Sequence, residues 1–202
     1  MTTPRDLLIT TLEVAAEQPP GAGDLSLALA GAELIDLLDA GAVALEDDRI
    51  VPADTEAASD PQLEEAASRL VRQAPYEPVE DWLWRRGRGL AADYLAALTA
   101  EEQITRRHRS RRLPFGGGRS VLADTPARGA ALERWTSEEP VLAWLGAAVG
   151  LRDQRHEDPL EVTGEAVATV LAAVGNALRD LEAERQRRSI EEAAFDNVWR
   201  GF

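Results

Sequence analysis

An arginine-rich segment is the part of the sequence whose residue types most clearly suggest a chemistry. Between Ile104 and Leu122 the chain carries six arginines and neither Asp nor Glu. They are Arg106, Arg107, Arg109, Arg111, Arg112 and Arg119. A guanidinium can donate two parallel hydrogen bonds to one phosphate group, so a local cluster of arginines is suited to binding anions. The segment therefore predicts an anion-binding surface.

A short apolar stretch and three glycines lie inside this segment. Leu113, Pro114 and Phe115 are followed directly by Gly116–Gly118, a pattern that predicts a hairpin or loop with an apolar tip. Inserting the two large side chains into a bilayer would contribute about 2–4 kcal/mol. Each arginine near anionic lipid would add about 1 kcal/mol. The alternative is a solvated loop whose arginines pair with the chain's own 36 acidic residues.

The sequence carries no pattern for catalysis or metal binding. His108 and His156 are the only histidines, they stand far apart, and Cys is absent, so neither a thiolate site nor a spaced His pair is available. Gly116–Gly118 lacks the Lys and Ser/Thr that follow the glycines of a phosphate-binding loop. No G-x-S-x-G motif marks a nucleophile. We therefore expect no enzyme, no metal and no cofactor.

The overall charge limits which partners are possible. The chain has 202 residues and a net charge of -14, so on average it repels nucleic acid and anionic lipid. Any anion binding must therefore come from a local cationic patch. The N-terminal residues lack the basic start and apolar run of a signal peptide. The longest uncharged apolar stretches, Pro140–Leu151 and Ala166–Leu178, are shorter than the roughly 20 residues of a membrane-spanning helix. We expect a cytoplasmic location.

The elements that must position these residues are mostly helical. Apolar periodicity and Gly and Pro breaks predict helices at 5–17, 25–39, 62–73, 79–98, 126–135, 138–149 and 159–188, and a short hairpin at 42–51. We predict one all-α domain over 1–202, a compact bundle with one or two short β-hairpins. Its apolar centre is expected at Pro140–Leu151 and Ala166–Leu181, surrounded by amphipathic helices.

Three sequence stretches, taken in order, resemble the Golgi phosphoprotein 3-like (GPP34) family, in particular its actinobacterial members. They are LIDLLDAGAVALEDDRIVP at Leu34–Pro52, VEDW at Val79–Trp82 and PVLAWLGAAVGL at Pro140–Leu151. The resemblance covers nearly the whole chain. It implies an all-α peripheral membrane protein that binds phosphatidylinositol 4-phosphate through a Trp and several Arg. It also implies a membrane-inserted hairpin and recruitment of glycosyltransferase tails.

The resemblance assigns some of these roles to particular residues. It places headgroup binding at Arg85, Arg86 and Arg88, whereas the family's site Trp and first site Arg fall at Gly21 and Ala30. It places membrane contact at the hairpin, whose residues are Arg106, Arg107, Arg109, Arg111, Arg112, Leu113, Phe115 and Arg119. The partner it implies is an anionic membrane lipid, with the chain peripherally associated with the membrane.

Two other functions stay open at this point. One is a soluble helical adaptor that binds protein partners without lipid specificity. The other is a winged-helix DNA binder, because a helix at 25–39 is followed by a hairpin. That helix contains no Arg and carries Glu33, Asp36 and Asp39, which disfavour contact with phosphate. Nucleic acid is therefore not expected as a partner. The lipid identity, the oligomeric state and the physiological partner are left open.

Overall fold

The computed structural model describes residues 2–15, 17–54, 60–106, 120–152 and 164–200. This part of the chain contains eight helices and two two-stranded antiparallel sheets. The helices are α1 Thr3–Val14, α2 Ala22–Asp39, α3 Pro61–Ser68, α4 Val79–Arg86, α5 Leu90–Ala100, α6 Pro126–Thr136, α7 Pro140–Ala148 and α8 Glu165–Arg200. The strands are β1 Val43–Glu46, β2 Arg49–Pro52, β3 Ile104–Arg106 and β4 Ser120–Leu122. The predicted all-α fold with short hairpins is confirmed.

Helix α2 lies at the centre of the structure. Its residues from 25 to 35 are all buried, as expected of a helix that is covered on every side. Helices α1, α3, α4, α5, α7 and α8 all pack against it. The prediction that Pro140–Leu151 forms the centre is therefore wrong. Helix α7 buries Leu142 and Leu145 completely but leaves Val141 and Trp144 half-buried, because only one of its sides faces the core.

The first half of α8 packs closely along α2. A Cβ added to Gly31 would lie 2.4 Å from Cγ2 of Val174, so the absence of a side chain lets the two helix backbones approach. Val170, Leu171 and Val174 are fully buried in this contact region. Beyond about residue 186 the described side chains of α8 are exposed, and Ile190 is 70% exposed. The predicted helix at 159–188 is present but starts and ends later.

Two glycines divide one predicted helix into two. Helix α4 ends at Arg86 and α5 begins at Leu90, whereas the pattern predicts one helical stretch over 79–98. Gly89 has a φ of 76°, a left-handed conformation that glycine adopts at little cost. The turn 87–89 packs against α2, since a Cβ on Gly87 would lie 3.4 Å from the carbonyl oxygen of Ser26. The break therefore reorients α5 on the central helix.

Both hairpins begin where the sequence predicts them. Strands β1 and β2 pair from Val43–Pro52 to Glu46–Arg49, and Asp47, in the turn between them, has a φ of 57°. Strands β3 and β4 pair Ile104 with Leu122 and Arg106 with Ser120. The tip of this second hairpin lies outside the described residues. Within those residues, no helix is both long enough and apolar enough to cross a membrane.

Candidate functional site

Arg86, one of the three arginines predicted to bind a headgroup, lies in the interior. Its side chain is 1% exposed and pairs with Glu33, which is completely buried. Nε and Nη2 of Arg86 donate to the two carboxylate oxygens at 2.7 and 2.8 Å, and the Tyr94 hydroxyl donates to the same carboxylate at 3.0 Å. Burial raises the pKa of Glu33, and its contacts with Arg86 oppose that rise. A headgroup could reach Arg86 only if this pair opened.

Arg85 is exposed, but a carboxylate already engages it. Its Nε and Nη2 donate to the two oxygens of Glu77 at 2.7 and 2.6 Å, a bidentate arrangement. The guanidinium also lies 5.2 Å from the centre of the Trp82 ring. The Glu77 hydrogen bond raises the pKa of Arg85. The side chain therefore presents little uncompensated positive charge.

Arg88 occupies the turn between α4 and α5 and is exposed. Among the described residues it has no ion pair with a carboxylate. The three predicted headgroup arginines thus have three different environments: a buried pair, a surface pair and an exposed turn. They do not form one basic surface. The predicted hairpin residues from 107 to 119 lie outside the described part of the chain, and of Arg106 only the strand pairing with Ser120 is described.

The two positions where the resemblance places a Trp and an Arg also differ from each other. Gly21 is exposed and precedes α2. Ala30 is fully buried inside α2, and its carbonyl oxygen accepts a hydrogen bond from Nε1 of Trp82 at 3.2 Å. The position of the missing Trp is therefore open to solvent, whereas the position of the missing Arg lies in the core.

A groove of about 630 Å³ lies beside the start of α2. Its walls are formed by α2, by α7 together with the residue that follows it, and by α8. The lining residues that matter below are Asp24, Trp144, Val149, Leu178, Arg179, Glu182 and Arg185. A Cβ on Gly21 would lie 3.0 Å from Nη2 of Arg185. The groove therefore adjoins the position to which the resemblance assigns the headgroup-site Trp. Its lining combines an apolar floor with charged groups of both signs.

A group of carboxylates surrounds Arg134 near the start of α1. Nη1 of Arg134 donates to the completely buried Asp6 at 2.5 Å, and its Nη2 donates to Glu139 at 2.9 Å. Asp36 on α2 accepts a hydrogen bond from the backbone N–H of Thr3 at 2.8 Å. Burial raises the pKa of Asp36 to about 6 and also raises that of Asp6.

This carboxylate group joins α1, α2 and α6. No cluster of three or more His, Asp or Glu side chains suited to a metal ion occurs within the described ranges.

Sequence patterns did not point to the residues that line the groove. Arg179 and Arg185 lie in a helix with many acidic residues, and Trp144 lies in an apolar stretch whose pattern predicts burial in the core. Arg185 contacts Asp24, which is 161 positions away. Local patterns do not encode a contact over that separation. The one available signal was the pair Gly21 and Gly23, because glycines permit close approach of another group.

The structure defines a class of protein: a helical bundle built around a buried central helix, with a groove at the start of that helix. The family model described as Golgi phosphoprotein 3 (GPP34) matches residues 4–198. The chain therefore belongs to the Golgi phosphoprotein 3 (GPP34) family. A comparison with curated proteins found no match.

Proposed function

We propose that this chain is a peripheral membrane protein that binds anionic, phosphoinositide-like lipid headgroups, as the family resemblance implies for phosphatidylinositol 4-phosphate. The observation that carries the proposal is the family match over residues 4–198. The proposal assigns the chain to the cytoplasm, reversibly attached to a membrane surface. It gives the chain no catalytic role and no nucleic-acid partner.

The arginine-rich hairpin supports this proposal through short-range electrostatics. Six arginines occur between 104 and 122 without a carboxylate, and each contributes about 1 kcal/mol near anionic lipid. The rest of the molecule is strongly acidic, but its repulsion is screened beyond about 8 Å at physiological ionic strength. Strands β3 and β4 hold the two ends of this segment side by side. A local attraction can therefore exceed a distant repulsion.

Vesicle flotation tests the proposal directly. The full chain is mixed with neutral phosphatidylcholine vesicles, or with vesicles containing phosphatidylserine or phosphatidylinositol 4-phosphate, at about 50 mM and about 300 mM salt. We expect binding to the anionic vesicles that decreases as salt increases. Equal and negligible binding to all three compositions would contradict the proposal. A preference for phosphatidylinositol 4-phosphate over phosphatidylserine would support headgroup recognition in addition to charge attraction.

A hairpin variant identifies the part of the chain that contacts the membrane. In the quadruple variant R107Q/R109Q/R111Q/R112Q, we expect most binding to anionic vesicles to be lost. The control is R69Q/R72Q/R187Q/R188Q, which removes the same charge from exposed positions elsewhere. Equal loss in both variants would show that only total charge matters, and would remove the hairpin from the proposal.

A helical adaptor that binds protein partners is the second candidate function. It is favoured by one observation: Arg85 and Arg86, two of the three arginines that the resemblance assigns to the headgroup, are both paired with carboxylates of the chain itself. Chemical crosslinking followed by affinity capture would test it. A reproducible protein partner together with no vesicle binding would favour the adaptor, and vesicle binding without any partner would exclude it.

A further inference from the structure

The groove beside α2 has an open, partly apolar floor. Trp144 is half-buried there, next to Val149 and Leu178. A Cβ on Gly175 would lie 3.4 Å from the Trp144 ring and 3.9 Å from Nη1 of Arg179. The ring and the guanidinium therefore lie on the same side of Gly175, and the missing side chain keeps the space between them accessible. An aromatic ring next to a cation is suited to a ligand that is apolar at one end and anionic at the other.

The two arginines of the groove retain hydrogen-bonding capacity. Arg179 is exposed and donates only to the side-chain oxygen of Asn176 among the described residues. Arg185 donates through Nη1 to both oxygens of Asp24 at 2.8 Å. In the described part of the chain, its Nε and Nη2 have no acceptor. These N–H groups can donate to a phosphate oxygen without breaking the Asp24 contact.

The carboxylates in the groove weaken anion binding without preventing it. Asp24 and Glu182 line the same groove, and Glu182 lies 3.7 Å from Nη1 of Arg185. Both carboxylates approach Nη1, so they leave the opposite edge of the guanidinium free. Because the two acids and two arginines balance in charge, the groove alone should bind weakly. Further contacts of the chain with an anionic membrane surface would supply the remaining attraction.

We infer that this groove receives the phosphate-bearing head of an anionic membrane lipid, with Arg179 and Arg185 binding the phosphate and Trp144 contacting the apolar part next to it. The inference rests on the proposed membrane function and names different residues from those the resemblance assigns. The groove adjoins Gly21, where the resemblance places the family's site Trp. Side chains from α7 and α8 supply an aromatic ring and two arginines there.

A matched pair of charge variants tests the inference on vesicles containing phosphatidylinositol 4-phosphate. R179Q/R185Q should bind roughly thirtyfold more weakly than the unmodified chain, since each arginine at an anionic surface contributes about fivefold. The control R187Q/R188Q removes the same charge from the same helix, at positions where both arginines pair with Glu184. It should change binding by less than about threefold.

Three outcomes separate this inference from the proposed function. Selective weakening of R179Q/R185Q supports the groove. If the unmodified chain binds and both variants lose affinity equally, the groove is excluded and the membrane function stands. If the unmodified chain does not float with anionic vesicles at all, both are overturned. Circular dichroism of each variant checks that the helical fold is kept.

Tryptophan fluorescence gives a second, independent measurement. Vesicles with brominated acyl chains quench tryptophans that contact lipid. We expect Trp144→Phe to lose a clear fraction of the quenching seen in the unmodified chain. The control is Trp84→Phe, a half-buried tryptophan on α4 outside the groove lining, which should leave the quenching nearly unchanged. Equal quenching in the unmodified chain and Trp144→Phe would exclude a lipid contact at this ring.

Discussion

Glu33 is a fully buried carboxylate in the middle of an otherwise apolar helical stretch, and its position requires a cationic partner. An unpaired charge in the interior is strongly unfavourable because it loses its hydration. Arg86 reaches it from α4, and Tyr94 reaches it from α5. The three side chains therefore connect the central helix to the two helices on either side of the 87–89 turn.

Removing one partner of this pair should destabilise the fold strongly. We expect Glu33→Gln to lower the free energy of unfolding by about 3–5 kcal/mol, because Arg86 keeps its charge without its buried carboxylate partner and is left with only the more distant Glu65, at 3.8 Å. The double variant E33L/R86M should recover most of that loss, since no buried charge remains. Urea denaturation followed by circular dichroism measures both. If E33L/R86M loses as much free energy of unfolding as E33L and R86M lose together when each is measured alone, the two side chains are not coupled.

Asp36 should make stability depend on pH in a defined direction. Its pKa in the folded state is about 6, above the ordinary value of 3.8. Its contribution to stability is therefore fully present below about pH 4 and is lost as the pH rises through 6. A rise of roughly 2 pKa units corresponds to about 3 kcal/mol. We therefore expect the urea concentration at the unfolding midpoint of the unmodified chain to decrease as the pH is raised from 5 to 7.5. The pKa of Asp6 is also raised, so its ionisation lowers stability in the same direction.

The variant Asp36→Asn checks this assignment. An amide oxygen can still accept the hydrogen bond from Thr3 but does not ionise, so the fall in midpoint between pH 5 and 7.5 should become smaller. Asp180→Asn, at an exposed position on α8, makes the same change in charge and should retain the full pH dependence. Identical pH profiles for Asp36→Asn and the unmodified chain would contradict the role given to Asp36.

A glycine sets how closely helices α2 and α8 approach each other. Gly31 faces Val174, and there is no room for a methyl group between them. Alanine favours the helix over glycine by about 1 kcal/mol, so helix propensity and packing act in opposite directions at this position. Packing should dominate, because the interior of α2 cannot shift without disturbing the helices around it.

Gly31→Ala should therefore destabilise the protein, by about 1–3 kcal/mol. Adding Val174→Ala removes the methyl group that the new Cβ meets and should restore part of the loss. The control is Gly129→Ala on α6, where a Cβ would meet nothing within 4 Å; helix propensity should then raise stability slightly. Thermal unfolding midpoints measure all three. A stabilised Gly31→Ala would show that the two helices separate easily.

At the scale of the molecule, most of the buried apolar residues in the described part of the chain form one connected core. It extends from Leu7 on α1 to Ala177 on α8 and includes Trp82 and Trp135. Since the helices share this core, we expect one cooperative unfolding transition. Circular dichroism, which follows the helices, and tryptophan fluorescence should give the same urea midpoint. Two separate midpoints would indicate two independent units and would contradict the single domain predicted from the sequence.

Much of the architecture could be predicted from local patterns. The hairpin at 42–51 follows from apolar residues on either side of an acidic turn. The helix predicted from residue 62 begins at Pro61 in the structure, where the Asp60 side chain accepts from the backbone of Gln62 and Leu63. Helix α2 was predicted at nearly the right place as a helix with one buried side. Its burial on all sides depends on six helices elsewhere in the chain, so its own periodicity could not show it.

The sequence alone determined the fold class, the family and the local excess of arginine near the second hairpin, because periodicity, turn residues and composition are local properties. Only the folded chain showed which charges are neutralised. Arg85, Arg86 and Arg88 look equivalent in sequence, yet Glu77 and Glu33 engage the first two. The role of Arg185 was hidden for the same reason: a charge acts on its spatial neighbours. Asp24 lies 161 residues from Arg185 in the sequence, and Glu33 lies 53 residues from Arg86.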